Sequence, residues 1–409
     1  MKRVVVTGMG AITALGDTWQ TFRDGLLKGE NAVVHMPEWD AFAGLNTRLA
    51  APIQPAFKRP SHYSRKDVRS MSQVSMMATR ATEVALIDAG LLDDPRLSDG
   101  RCGVAYGSST GSTEEMIVFG NMLAKHDMTG INATTYIKSM AHTTAVNVGV
   151  YFGLKGRMYT TSSACTSASQ AIGYAYEAIK YGQQQLMVAG GAEALCPSEA
   201  VVFDTLYATS TTNDQPKQTP RPFDRQRDGL VIGEGAGTFI LEELEHAKAR
   251  GATIYAELVG FGTNTDGAHV TQPTAATMEI AIRQALADAQ LEPAQIGYVN
   301  AHGTATERGD IAESQATASV FGERMPISSL KSYLGHTLGA CGAIEAWASI
   351  EMMNEGWFAP TLNLTDIDPE CGALDYIVET PKHLQTDLIM SNNFAFGGIN
   401  TSLIFKRWN

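Results

Sequence analysis

Short runs of β-branched and apolar residues recur along the chain, each closing on glycine or another small residue and each followed by a stretch with helical spacing. Residues 3–6 precede Gly8-Met9-Gly10, residues 102–106 precede Gly107, residues 186–188 precede Gly190-Gly191, and residues 254–259 precede Gly260. Residues 298–300 run into Ala301-His302-Gly303 in the same manner. Between these runs, residues 73–89, 167–181 and 277–289 carry apolar side chains near helical spacing, and residues 242–250 read as a charged helix. Strands alternating with helices predict an α/β protein with largely parallel or mixed, buried sheets.

A weaker regularity lies on top of this one. Residues 158–165 form a β-type run that ends at Cys165 and opens a helix of small residues. Residues 326–331 lead into Gly335-His336-Thr337-Leu338-Gly339-Ala340, which again opens a helix. Residues 185–191 then resemble residues 387–393, and the second of these continues to Gly397-Gly398. Strand, reactive turn, helix, strand and glycine turn thus occur twice, in the same order. A duplicated α/β unit with its site between the halves accounts for this, and 409 residues exceed what one core usually covers. The expected division is near Arg250-Gly251, giving halves of residues 1–250 and 251–409.

Composition narrows the function. A hydrophobic share of 44% and a charged share of 18% describe an ordered globular chain. The net charge of −12 disfavours nucleic acid, and it would repel an acidic protein partner unless a local basic patch exists. The apolar run at the N-terminus is too short for a signal-peptide core, and no stretch is long enough to span a bilayer, so a cytoplasmic protein is expected. Five scattered cysteines without a Cys-x-x-Cys pair argue against a disulfide framework and structural zinc.

Four segments can do chemistry. Cys165 follows small residues and opens a helix, where unpaired N–H groups and the positive dipole end should lower a thiol pKa; a buried structural thiol is the equal alternative. His302 stands at a strand end, followed by Gly303 and the hydroxyls of Thr304 and Thr306, where α/β sheets present functional loops. Lys331, His336 at a glycine turn, and Glu345 form a third group, in which Lys331 and Glu345 also fit an ordinary salt bridge. Residues 391–400 read as a strand breaking into a glycine turn whose N–H groups could form half of an oxyanion hole. The clusters Gly8-Met9-Gly10 and 233–237 complete no nucleotide-binding fingerprint, so close strand contact explains them better.

Together, in this order, the four motifs resemble the β-ketoacyl-ACP synthases of the thiolase superfamily, the Cys-His-His branch of fatty-acid and polyketide synthesis. The likeness runs from Val6-Thr7-Gly8-Met9-Gly10 to Phe396-Gly397-Gly398-Ile399-Asn400 and includes Arg221-Pro222-Phe223-Asp224-Arg225. It implies a thiolase-like fold of duplicated βαβαβ-type halves in an α-β-α-β-α layering. It implies that Cys165 accepts an acyl group from acyl carrier protein, with its own N–H and that of Phe396 holding the oxyanion. His302 and His336 would then stabilise the enolate formed as malonyl carrier protein loses carbon dioxide. Lys331 and Glu345 would order His336, Thr304 and Thr306 would contact the phosphopantetheine arm, and Phe396 would gate the acyl site. No separate cofactor is implied. Asn300, Glu345, Ser391 and Asn392 match a monovalent-cation site of some relatives, and no metal is required for the chemistry. Arg65, Lys66 and Arg69 match a docking segment for the acidic carrier, although a solvated basic face explains them as well.

Three departures qualify the resemblance. Ser169 stands where histidine is common, Thr110 where an apolar residue turns the acyl tunnel, and Thr212 where an arginine faces the carrier. The first two point away from ordinary long saturated chains. Fatty-acid synthesis remains the leading expectation from the resemblance, and Thr110 makes a polyene or polyketide pathway, with a non-catalytic chain-length partner, the alternative. A homodimer is expected, with a heterodimer of related subunits as its rival. A biosynthetic thiolase would carry a second cysteine near residues 394–398, and chain-starting synthases would carry asparagine at His336.

Overall fold

The computed structural model describes residues 1–409. Eleven strands join in one mixed sheet. From edge to edge they are Asp375–Tyr376, Pro326–Ser328, Tyr298–Asn300, Leu388–Ala395, Ile399–Arg407, Ala256–Thr265, Val4–Ile12, Gly235–Glu243, Leu186–Glu193, Cys102–Gly107 and Met158–Thr160. Counted outward from the central neighbours Val4–Ile12 and Ala256–Thr265, both flanks run first, fifth, fourth, second, third in chain order, with Asp375–Tyr376 added at one edge. Parallel and antiparallel pairings also fall at the same places in both flanks. The fold is a duplication.

Only Val4, Val5 and Val6 pair across the centre, with Leu258, Glu257 and Ala256. Beyond that corner two helices, Ser167–Lys180 and Cys341–Glu355, fill the space between the flanks, and their side chains share the largest core with both. Cys341–Glu355 is buried along nearly its whole length and is apolar on most faces, as a helix inside a core must be. Gln73–Asp88 and Thr143–Tyr151 cover the outside of one flank, and Ala275–Ala289 with Glu307–Phe321 cover the other. The layering is α-β-α-β-α, as the resemblance implied.

One sequence expectation changes. The strands do not stop at their glycines. Val4–Ile12 continues through Gly8 and Gly10, Leu186–Glu193 through Gly190 and Gly191, and Ala256–Thr265 through Gly260 and Gly262. The reason is helix contact. A Cβ on Gly8 or Gly10 would sit 2.4 Å from the carbonyl oxygen of Ala85 or Ala81, and one on Gly260 or Gly262 would sit 2.4 or 2.1 Å from that of Ala285 or Ala281. Each covering helix thus lies directly on a glycine-bearing strand, in the same way on both flanks. The charged helix is also shorter than expected, Leu244–Ala249, because Glu242 and Glu243 belong to the preceding strand. No helix is long and apolar enough to cross a membrane.

Candidate active site

In each half the third strand leads to a tight turn that opens a central helix. Ala164–Thr166 precedes Ser167–Lys180, and Leu338–Ala340 precedes Cys341–Glu355. Each turn holds a non-glycine residue in the left-handed region, Ala164 at φ 50° and Leu338 at φ 44°. Such a conformation costs roughly 1–2 kcal/mol and persists only where surrounding structure imposes it. Gly191 lets the turns approach: a Cβ there would lie 2.2 Å from the carbonyl oxygen of Gly339 and 2.7 Å from Ala168 Cβ.

The turns bring Cys165 and His336 together, and the end of strand Tyr298–Asn300 adds His302. His336 Nε2 lies 2.9 Å from Cys165 Sγ. One reactive atom from each of Cys165, His302 and His336 falls within 4.8 Å of the others, and the imidazole rings meet edge to face at 5.1 Å. All three side chains are buried.

Hydrogen bonding fixes the tautomers. The main-chain N–H of Leu338 donates to His336 Nδ1 at 3.3 Å, and Lys331 Nζ donates to His302 Nδ1 at 3.3 Å. A neutral imidazole that accepts at Nδ1 carries its proton on Nε2. Burial holds both imidazoles well below the usual histidine pKa, and the Lys331 ammonium pushes in the same direction. Both rings are therefore neutral donors. The nearby ammonium also disfavours a divalent cation among these three ligands.

The thiol differs from the sequence expectation. Burial pushes Cys165 up to about 11, although the N–H groups of Phe396 and of Cys165 itself, with Lys331, pull it down. Desolvation outweighs the helix terminus. Those two N–H groups are nevertheless the pair expected to form the oxyanion hole.

Lys331 and Glu345 pair at 2.5 Å with side chains 1% and 3% exposed. Burial works against the Lys331 ammonium, but Glu345 and the other acidic groups nearby together outweigh it and hold its pKa raised. The contact of the pair is with His302 rather than His336, which corrects the expected role. His336 is held instead by the backbone of Leu338 and by its own main-chain bonds to Val231 and Gly233.

Asn393, which sequence reasoning passed over, ties this group together. Its Nδ2 donates to Glu345 Oε2 at 2.8 Å and lies 3.5 Å from His302 Nδ1. Strand alternation was the available signal, since Asn393 shares a face with Ser391. Glu313 was also missed. It projects from helix Glu307–Phe321, accepts from the N–H groups of His302 and Gly303 at 2.6 and 2.7 Å, and fixes the loop behind the ring. No local pattern marks it, because its partners are main-chain groups 11 and 10 positions earlier.

The remaining expected residues divide into two groups. Thr304, Thr306 and Phe396 line one cavity of about 550 Å³ together with Cys165, His302 and His336. Phe396 is half-buried and meets Phe203 edge to face at 6.0 Å. Thr110 lies outside that cavity, its hydroxyl 3.2 Å from Glu199 and 3.4 Å from Glu193. Burial, then the neighbouring Glu193, pushes the Glu199 carboxyl well above its ordinary range. Of the proposed cation ligands, Asn300 Nδ2 donates to Ser391 Oγ at 3.2 Å, while Asn300 Oδ1 and Asn392 Oδ1 are buried without partners. Orphaned amide oxygens suit a hard cation, but both Glu345 oxygens are already engaged. Arg65, Lys66 and Arg69 are exposed and do not line that cavity.

A layered duplicate fold with a thiol at one central helix and two neutral imidazole donors beside it defines a thiolase-fold acyltransferase. Residues 1–247 match the family described as β-ketoacyl synthase, N-terminal domain, and residues 255–365 match β-ketoacyl synthase, C-terminal domain. The 3-oxoacyl-[acyl-carrier-protein] synthase 2 of Vibrio harveyi is 38% identical over 414 residues, covering 99% of each chain. A crystal structure of a β-ketoacyl synthase from Burkholderia phymatum STM815 is 63% identical, with a TM-score of 0.99 over 100% of both chains. The ishigamide ketosynthase/chain length factor is 29% identical, with a TM-score of 0.90 over 100% of both chains. The chain belongs to the β-ketoacyl synthase family.

Proposed function

We propose that the protein is a 3-oxoacyl-[acyl-carrier-protein] synthase of fatty-acid biosynthesis. The convergence of one sulfur and two neutral imidazoles, with one reactive atom from each within 4.8 Å of the others, carries this reading. In the first step Cys165 attacks an acyl thioester; its proton leaves with the departing phosphopantetheine thiol, and the N–H groups of Cys165 and Phe396 hold the oxyanion. In the second, malonyl thioester loses carbon dioxide, and His302 and His336 donate to the enolate oxygen. Neutral imidazoles stabilise that charge without an acid strong enough to quench the carbanion. The carbanion attacks the acyl carbonyl, the Cys165 thiolate is expelled and takes a proton from water, and 3-oxoacyl carrier protein leaves.

The same reading assigns residues 1–250 to the half bearing Cys165 and residues 251–409 to the half bearing His302 and His336. Thr304 and Thr306 hold the arm, Phe396 gates the acyl site, and Arg65, Lys66 and Arg69 meet the carrier. The orphaned oxygens of Asn300 and Asn392 support a monovalent cation held with Ser391, which Glu345 would join while still accepting from Lys331 and Asn393. A cytoplasmic homodimer without a separate cofactor completes it. A polyene or polyketide ketosynthase paired with a chain-length partner is the second reading, favoured by the polar surroundings of Thr110 at the expected turn of the acyl tunnel. Mass spectrometry of carrier protein after incubation with acyl and malonyl carriers tests both. Saturated 3-oxoacyl product supports the first, product only from unsaturated or aromatic acyl donors supports the second, and no condensation with any donor rejects both.

A further inference from the structure

The cavity that reaches Cys165 has an unusual balance at its mouth. Leu206, Tyr207 and Val270 line it and are 42%, 89% and 59% exposed, so the rim is largely apolar. Most charged groups on its wall are already engaged. Arg227 is held by Asp368 at 2.6 Å and Asp310 at 3.6 Å. Asp228 accepts from the Thr211 N–H and the Thr212 hydroxyl at 2.8 and 3.0 Å, and Asp266 accepts from Asn400 at 2.7 Å. Glu313 accepts the two N–H groups behind His302.

Two wall charges remain, Glu307 and Arg308, both exposed. They are consecutive residues of a helix, so their side chains do not face each other. Arg308 has no carboxylate within 4.0 Å. It is the one cation on the cavity wall without an anionic partner, and it stands two positions beyond Thr306.

We propose that Arg308 binds the phosphodiester that joins the pantetheine arm to its carrier protein. This rests on the carrier-delivered substrates proposed above. With the thioester at Cys165 and the arm along Thr304 and Thr306, the phosphate end must emerge at the mouth, because it is esterified to the carrier surface. A guanidinium is the side chain best matched to that group.

The test compares acylation of Cys165 by pantetheine thioester, which has no phosphate, and by 4′-phosphopantetheine thioester. In the unaltered enzyme the phosphate should raise kcat/KM about tenfold, an exposed charge-assisted contact. In Arg308→Ala that ratio should fall close to one while the rate with pantetheine thioester is unchanged, and Arg308→Lys should retain part of it. A phosphate preference that survives in Arg308→Ala overturns the assignment, as does equal use of the two donors by the unaltered enzyme. Acylation by pantetheine thioester, which needs no phosphate contact, reports separately on the proposed function.

Discussion

Replacing Lys331 with methionine separates what the buried ion pair does for stability from what it does for chemistry. The pair is almost fully enclosed, and Lys331→Met leaves Glu345 with Asn393 as its hydrogen-bonding partner at 2.8 Å. Orphaning one member of a buried pair costs roughly 3–5 kcal/mol, whereas replacing both by apolar residues of similar volume is often neutral. Lys331→Met should therefore lower the urea midpoint strongly, and Lys331→Met with Glu345→Leu should recover most of it. Catalysis should not recover. His302 loses the donor that holds its Nδ1 at 3.3 Å, so its Nε2–H is no longer fixed toward the substrate. Loss of one oriented donor costs about 10²–10³ in rate. Single-turnover condensation by mass spectrometry, beside urea unfolding, reads both. A double variant that regains the condensation rate along with stability would refute the positioning role.

Three further outcomes follow from the geometry. Because burial raises Cys165 to about 11, the neutral thiol dominates below that pH, and alkylation by iodoacetamide should keep rising through about pH 9; a plateau below about pH 8 contradicts the burial argument. Gly191→Ala should slow acylation and condensation together by forcing Gly339 and Ala168 away, and kinetics matching the unaltered enzyme would show that the close approach is dispensable. Glutamates at Arg65, Lys66 and Arg69 should weaken carrier binding most at low salt, and unchanged affinity there removes the patch from the interface.

Much of this architecture is legible in the chain alone. The alternation of strands and helices, and the repeated order around Cys165 and His336, are local patterns, and the duplicate sheet order follows them. What escaped depends on distance through space. Gly8 and Gly10 read as the close of a strand because the helix residues that require them, Ala85 and Ala81, lie far along the sequence. Lys331 was paired with the nearer histidine, whereas the fold swings its ammonium to His302. The thiol pKa went the other way because helix position can be read from sequence but depth of burial cannot.

The most direct measurement is the mass of the enzyme, with product, in single turnovers of His302→Ala and His336→Ala. Each variant should still gain one acyl group on Cys165 from acyl carrier protein, yet form almost no 3-oxoacyl product when malonyl carrier protein is added. Loss of acylation equal to the loss of condensation, or condensation at the unaltered rate, would contradict two neutral imidazoles acting as donors to the enolate.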